Sequence, residues 1–325
     1  MIATRTRHIL WPVLPSVRWY PLRVTSGLLL IDKAQDWTSH DAVARTRRLA
    51  GTRKVGHAGT LDPMATGLLI LGVNSSTRLL TYIVGLGKEY EATIRLGAAT
   101  TTDDAQGDET ARADPASVAA ITPARVAEAM TALTGDIEQR PSAVSAIKVD
   151  GKRAYARVRA GEDVVLASRP VSVSSFDLLG EARTDGFLDL DVRVACSSGT
   201  YIRALARDLG AALGVGGHLT RLRRTRVGPF DVADAAGLDD LDVAARLISP
   251  ADAAGRLFPR LDLTDEQATD LGHGKRIDVS SDQQLPPLPA GPVAAIAPGH
   301  RLVGLVEYRG GQARTLVNFP TDADA

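Results

Sequence analysis

The chain has 325 residues, too long for one small domain, and its 44% hydrophobic content is enough for a substantial core. Its 38 Lys and Arg balance 38 Asp and Glu, which argues against a protein that coats nucleic acid and moves attention to where the charges lie. The single cysteine, Cys196, excludes an internal disulfide and a cysteine zinc cluster, and no apolar run approaches the roughly 20 residues of a membrane helix. A reducing, cytoplasmic setting is expected.

Residues 1–24 read as a leader outside the fold. They are basic and free of acid, and their one apolar piece, residues 9–14, is broken by Pro12 with no cleavage site after it. Residues 27–32 form a strand-like apolar run. Ser39 is placed to cap a helix to Ala50, which Gly51 stops. A glycine-rich loop follows, then a buried strand over residues 68–73 and a helix over 78–84. Residues 88–97 alternate, with Tyr90, Ala92, Ile94 and Leu96 on one face of a strand. Residues 98–120, with Asp103, Asp104, Asp108 and Glu109, read as an acidic surface excursion. Pro123 starts a helix that Gly135 follows. Asp150-Gly151 and Asp185-Gly186 are hairpin signals, and residues 187–196 alternate cleanly. A helix over residues 202–213 ends at Gly214. The sum is an α/β (α+β) fold on a mixed, largely antiparallel sheet over residues 25–250. Short β-like runs at 293–296, 302–308 and 313–319 then give a small β-barrel-like domain over residues 251–325.

The six histidines show no metal-ligand spacing, and no phosphate-binding, dinucleotide or nucleophile-elbow motif is present. Chemistry on side chains alone, with no cofactor and no metal, is the simplest reading. The densest signal is Lys54-Val-Gly-His-Ala-Gly-Thr-Leu-Asp-Pro-Met-Ala-Thr-Gly67. Its glycines specify an irregular loop, and Pro63 holds the preceding Asp62 extended at the loop apex. Asp-Pro alone more often just opens a turn.

The loop resembles the catalytic loop of pseudouridine synthases, specifically the bacterial TruB family that makes pseudouridine 55 in tRNA. The likeness extends to Gly27-Leu-Leu-Leu-Ile-Asp-Lys33, Thr38-Ser-His-Asp41, Lys88-Glu-Tyr90, Arg140-Pro-Ser-Ala-Val-Ser-Ala-Ile-Lys148 and Cys196-Ser-Ser-Gly-Thr-Tyr-Ile-Arg203. It ends with Leu213-Gly-Val-Gly-Gly-His-Leu-Thr-Arg-Leu-Arg-Arg224. The tail is more loosely similar to a PUA-type RNA-binding module. One departure is Lys33-Ala-Gln-Asp-Trp37, where the family has Lys-Pro and then a glycine.

The resemblance implies that Asp62 is the catalytic aspartate, with Arg203 its partner and Tyr90 stacked on a flipped-out uracil. It implies Tyr201 and Leu222 as further pocket walls and His57 as the probe of the T-loop. The residues add independent support for Arg203. If Thr200 caps the next helix, Arg203 lies in the first turn, where a cation opposes the helix dipole at a cost of roughly 0.3–1 kcal/mol. No acid stands three or four positions away, so a carboxylate from elsewhere is expected. Basic groups at Arg45–Lys54, at Lys148, Lys152, Arg153, Arg157 and Arg159, and at Arg221, Arg223, Arg224 and Arg226 suggest an RNA-facing side, with Lys148, Arg153 and Arg157 as substrate contacts. The expected partner is the T-stem-loop of tRNA, bound by a monomer. Two other readings stand beside this one: a tRNA-binding and folding protein with catalysis secondary, and a guide-RNA-dependent synthase.

Overall fold

The computed structural model describes residues 25–142, 148–149, 152–153, 166–239, 241–279 and 291–321. The apolar run β1 (Gly27–Lys33) pairs antiparallel with β3 (Thr66–Val73). Between them stand α1 (Ser39–Ala50) and β2 (Val55–Ala58), a strand inside the stretch read as irregular loop, which folds back on β3. Thr38 rather than Ser39 caps α1. Its hydroxyl accepts from the Asp41 amide while the Asp41 carboxylate accepts from the Thr38 amide. Gly51, at φ 62°, closes the helix.

A 3₁₀ turn (Asn74–Leu79) and α2 (Leu80–Val84) lead into β4 (Lys88–Leu96), whose alternate side chains are buried as its pattern predicts. Then come the paired β5 (Ala98–Thr100) and β6 (Glu109–Arg112), α3 (Pro115–Ala119), α4 (Pro123–Ala132) and β7 (Gly135–Gln139). The turn between β5 and β6 is no simple surface excursion. Its backbone exchanges hydrogen bonds with Leu219, and Asp104 is buried. β8 (Lys148–Val149) pairs with β9 (Lys152–Arg153), as the Asp150-Gly151 signal predicts. β10 (Arg169–Thr184) and β11 (Phe187–Cys196) are joined by Asp185 and Gly186, both at positive φ, the conformation of a type I′ turn. α5 (Ile202–Leu213), β12 (Gly217–Val227) and β13 (Phe230–Asp231) complete the unit.

These strands form a nine-stranded sheet in the order β1-β3-β12-β4-β11-β10-β7, with β2 beside β3 and β13 beside β12. The β12–β3 contact is parallel and the other pairings in this sheet are antiparallel. This is the mixed, largely antiparallel α/β architecture expected. Gly67, at φ +95°, permits the parallel contact, because a Cβ there would lie 2.3 Å from the Arg224 carbonyl oxygen. Residues of α1, α4 and α5 pack on one face in a single core with Leu29, Ile31, Ile94, Val192 and Leu219.

Two short helices, α6 (Val243–Arg246) and α7 (Pro250–Leu257), precede a second sheet. It holds β14 (Arg260–Asp262), β15 (Ile277–Asp278), β16 (Pro292–Ala297), β17 (Arg301–Arg309) and β18 (Gln312–Asn318), in the order β14-β16-β17-β18-β15, curled as a half-barrel. It also carries α8 (Asp265–Gly272), a helix in a tail read as almost wholly β. Its signal is the reciprocal Thr264–Gln267 cap. The two sheets share one apolar core. Leu28, Leu30, Leu68, Ile70 and Phe230 pack with Ala254, Ile296, Leu302, Leu305 and Phe319.

Candidate active site

The loop from Gly59 to Asp62 leads towards β3 and lines a cavity with residues of the adjacent strands β12 and β4. Ser39, freed from capping, accepts from the Leu61 amide at 2.9 Å and donates to the Leu61 carbonyl at 3.2 Å. Lys33 grips the other side of the loop. Its fully buried ammonium donates to the carbonyls of Ala34 (2.9 Å), Trp37 (2.7 Å) and Pro63 (3.3 Å). Three acceptors match the three N–H groups of an ammonium. Burial pulls the Lys33 pKa down to about 8 against the pull of Asp36 and Asp62. The Ala34-Gln-Asp-Trp37 departure is thus accommodated by Asp36 at φ 66°, whose amide donates to the Pro63 carbonyl.

Held from both sides, Asp62 places its carboxylate, 41% exposed, 2.9 Å from Nη2 of Arg203, which is 5% exposed. The expected partner is present, and a second carboxylate stands behind it. Asp104 Oδ2 lies 3.6 Å from Arg203 Nη1, which also donates to the Thr102 carbonyl. Asp104 is held in turn by Thr102 Oγ1 and the Gln106 amide on its Oδ1. Arg203 does lie in the first turn of α5, but no side chain caps that helix. Instead the buried Gln139 grips Tyr201 reciprocally, its Nε2 donating to the Tyr201 carbonyl and its Oε1 accepting from the Tyr201 amide. One turn along, Arg207 pairs with Asp103 and donates to the Arg140 carbonyl. Adjacent aspartates therefore serve arginines one helical turn apart.

Asp62, Tyr90, Tyr201, Arg203 and Leu222 line one cavity of about 260 Å³, together with Lys88 and Arg224. Burial pushes the Tyr90 phenol up, opposed by the hydrogen-bonded Arg224. Burial likewise raises Tyr201, whose ring lies 5.8 Å from the Arg169 guanidinium. Arg224, 1% exposed, donates to the carbonyls of Leu68 and Gly59 and so ties the loop to β12. His57 stands on β2 outside the cavity lining, edge-on to His40 at 5.8 Å. Burial and His40 lower its pKa. Lys148 and Arg153 are backbone partners in the β8–β9 register, and Arg157 lies outside the described residues.

The basic groups divide. Arg48, Arg53 and Lys54 are exposed beside the loop. The third group is mixed, with Arg221 and Arg226 exposed, Arg223 half-buried and Arg224 buried. Arg223 is bidentate to Asp32, Arg221 and Arg226 pair with Asp191 and Asp231, and Arg224 is buried. Asp103 and Asp104, read as part of an acidic surface run, are the partners of α5. Lys33, Lys88, Asp104, Gln139 and Arg224 went unread as site residues. Gln139 directly precedes the Arg140–Lys148 motif, and Lys88 and Arg224 stand inside family-like motifs, but nothing in the linear order shows that they converge.

Residues 47–202 match the TruB family pseudouridylate synthase (N terminal domain). Residues 203–260 match the tRNA pseudouridylate synthase B C-terminal domain, and 258–320 match tRNA Pseudouridine synthase II, C terminal. The chain is 67% identical over 300 residues to tRNA pseudouridine synthase B of Leifsonia xyli, covering 92% of this chain and 98% of that one. It belongs to the TruB family. A second relative in the family, tRNA pseudouridine synthase B of Arthrobacter sp., is 54% identical over 90% of this chain and 96% of its own. Among solved structures, a chain of a Cbf5-Nop10-Gar1 complex superposes with a TM-score of 0.65 over 93% of this chain and 87% of that one, at 24% identity. That likeness is one of fold. Among the described residues no helix is long and apolar enough to cross a membrane.

Proposed function

We propose that this protein isomerises uridine 55 in the T-loop of tRNA to pseudouridine, with Asp62 as the acting carboxylate. The observation that carries the reading is a solvent-accessible carboxylate fixed at a cavity wall by a buried arginine, in a chain of the TruB family. The reaction breaks the N1–C1′ bond and forms C5–C1′. The C5 hydrogen leaves as a proton and N1 gains one, so neither electrons nor atoms need come from a cofactor. A positioned carboxylate serves such chemistry as a nucleophile at the sugar or base, or as a base at the sugar. The uridine must leave its stack to enter the cavity, with Tyr90, Tyr201 and Leu222 as its walls and His57 filling the vacated space in the T-loop.

Residues 25–250 carry this chemistry in the proposal, and residues 251–325 supply a PUA-like surface for RNA away from the T-loop. Lys148, Arg153 and Arg157 contact the phosphate backbone, and the protein works as a cytoplasmic monomer. The test is tritium release from tRNA transcript labelled at uridine C5, followed by mapping of the altered position. Release confined to uridine 55 is expected, and tight tRNA binding without release would leave a binding and folding role instead.

A further inference from the structure

Lys88 opens β4 at the edge of the cavity, half-buried. Its Nζ donates to the carbonyls of Val84 at 2.9 Å and Leu86 at 2.6 Å, which accounts for two of its three N–H groups. The third has no protein acceptor among the described residues. Ser198 donates to the same Val84 carbonyl, so the ammonium is fixed between the end of α2 and the loop that enters α5. One of its neighbours is another cation, Arg224. A Cβ on Gly59 would meet Arg224 Nη1 at 3.5 Å and Lys88 Cε at 3.7 Å, so both side chains press on the same loop residue, three before Asp62. Burial and the Arg224 charge pull the Lys88 pKa down to about 8.

The charges in and just behind this cavity do not balance. Lys88, Arg203 and Arg224 are three cations, and Asp62 and Asp104 are two carboxylates, which leaves the site one negative charge short. Lys33, on the far side of the loop, has Asp36 as its first counter-charge. A phosphodiester carries one negative charge and accepts hydrogen bonds through oxygens that suit a single fixed N–H. A nucleotide entering the cavity brings such a group with it.

We propose that Lys88 is a phosphate seat: its third N–H and its charge receive an RNA phosphodiester next to the reacting uridine, and Arg224 behind it adds field without contact. This rests on the RNA-uridine reading given above. The seat would register the backbone against Asp62, so that phosphate binding and base entry occur together.

The test uses the full chain and T-stem-loop RNAs carrying a neutral methylphosphonate at one or other phosphate flanking the target uridine. At one of the two positions the wild type should lose about tenfold or more in affinity, as expected for removal of a charge-assisted contact. Lys88→Gln keeps two N–H donors for Val84 and Leu86 but no charge. It should bind the unmodified stem-loop about as weakly as wild type binds the substituted one, with no further loss on substitution, and its salt slope should fall by about 0.7. Lys88→Arg should keep the slope. Wild-type binding that is unchanged by both methylphosphonates overturns the proposal whether or not the variant folds. So do losses that simply add, which would make Lys88 only a cap for α2. The underlying reading fails separately, if wild type releases no C5 tritium from tRNA.

Discussion

Ending the chain at Ile248 would leave all five expected cavity residues in place, yet the structure predicts that the product does not fold. The cut removes Ala251, Ala253, Ala254, Ala294, Ile296, Leu302, Leu305 and Phe319 from a core they share with Leu28, Leu30, Leu68, Ile70, Leu79, Leu80, Ile83, Val227 and Phe230. Each of the latter nine is now at most 9% exposed. Full burial of such a side chain is worth about 1.5–3 kcal/mol, so opening half of this surface costs roughly 7–13 kcal/mol. Whole domains are stable by only about 5–15 kcal/mol. The edge-to-face contact of Tyr82 with Phe258, at 5.2 Å, is lost as well. Urea unfolding of the full chain, followed by fluorescence and by circular dichroism, should show one coincident transition. The shortened chain should aggregate or bind apolar dyes. A soluble, cooperatively folding product that still releases tritium would refute the shared-core reasoning and make the second sheet a detachable module.

Asp62→Asn removes the charge with little change of shape and should lower tritium release at least about a thousandfold, about 4 kcal/mol of barrier, with tRNA affinity held by phosphate contacts; substantial residual turnover would remove Asp62 from the chemistry. Asp104→Asn keeps the Oδ1 acceptor for Thr102 and Gln106 but takes the charge from Arg203. It should cost about 1–3 kcal/mol in urea unfolding and slow turnover without weakening tRNA binding. A stability loss with unchanged turnover would confine Asp104 to a structural part. Lys33 and Lys88 both sit near 8 in the folded chain against about 10.5 unfolded. Between those values the unfolded chain binds more protons, so the contribution of these two groups to stability rises with pH, while the three-carbonyl grip of Lys33 loses a donor. Single-turnover rates should therefore fall as pH passes about 8 without a matching loss of stability. Parallel decline of both in wild type, absent in Lys33→Met, would contradict the assigned sign.

Strands read from alternation stand where the side chains obey it. β4 and β11 bury every second residue and lie paired in register from Leu96–Leu188 to Lys88–Cys196. β12 was not legible, although it is the strand on which the site is built. Register shifts between Leu219 and Arg221 and between Arg224 and Arg226 break its period, and Arg224 is buried against the usual habit of arginine. Asp62 and Arg203 were findable because a motif and an unfavourable helix position each marked them. Asp104 was not, because its partner is 99 positions away and only the turn after β5 brings them together. The division of Arg221, Arg223, Arg224 and Arg226 into exposed, paired and buried side chains was not legible either. Asp191 and Asp32, the partners of Arg221 and Arg223, lie on other strands, and no short linear window holds either beside its arginine.

Gln139 and Arg169 are direct partners at the first rung between β7 and β10. The two ends of the segment 140–168 are therefore held together at one rung of the ladder. Lengthening a loop whose ends are pinned costs little, about 0.6 kcal/mol per doubling. The clamp of Gln139 on Tyr201 fixes the departure point to the helix that holds Arg203. The rung is thus a fixed socket for the chain between its two ends. Length changes made between Ser142 and Leu166, both buried, should therefore leave the pairing of Asp62 with Arg203 in place.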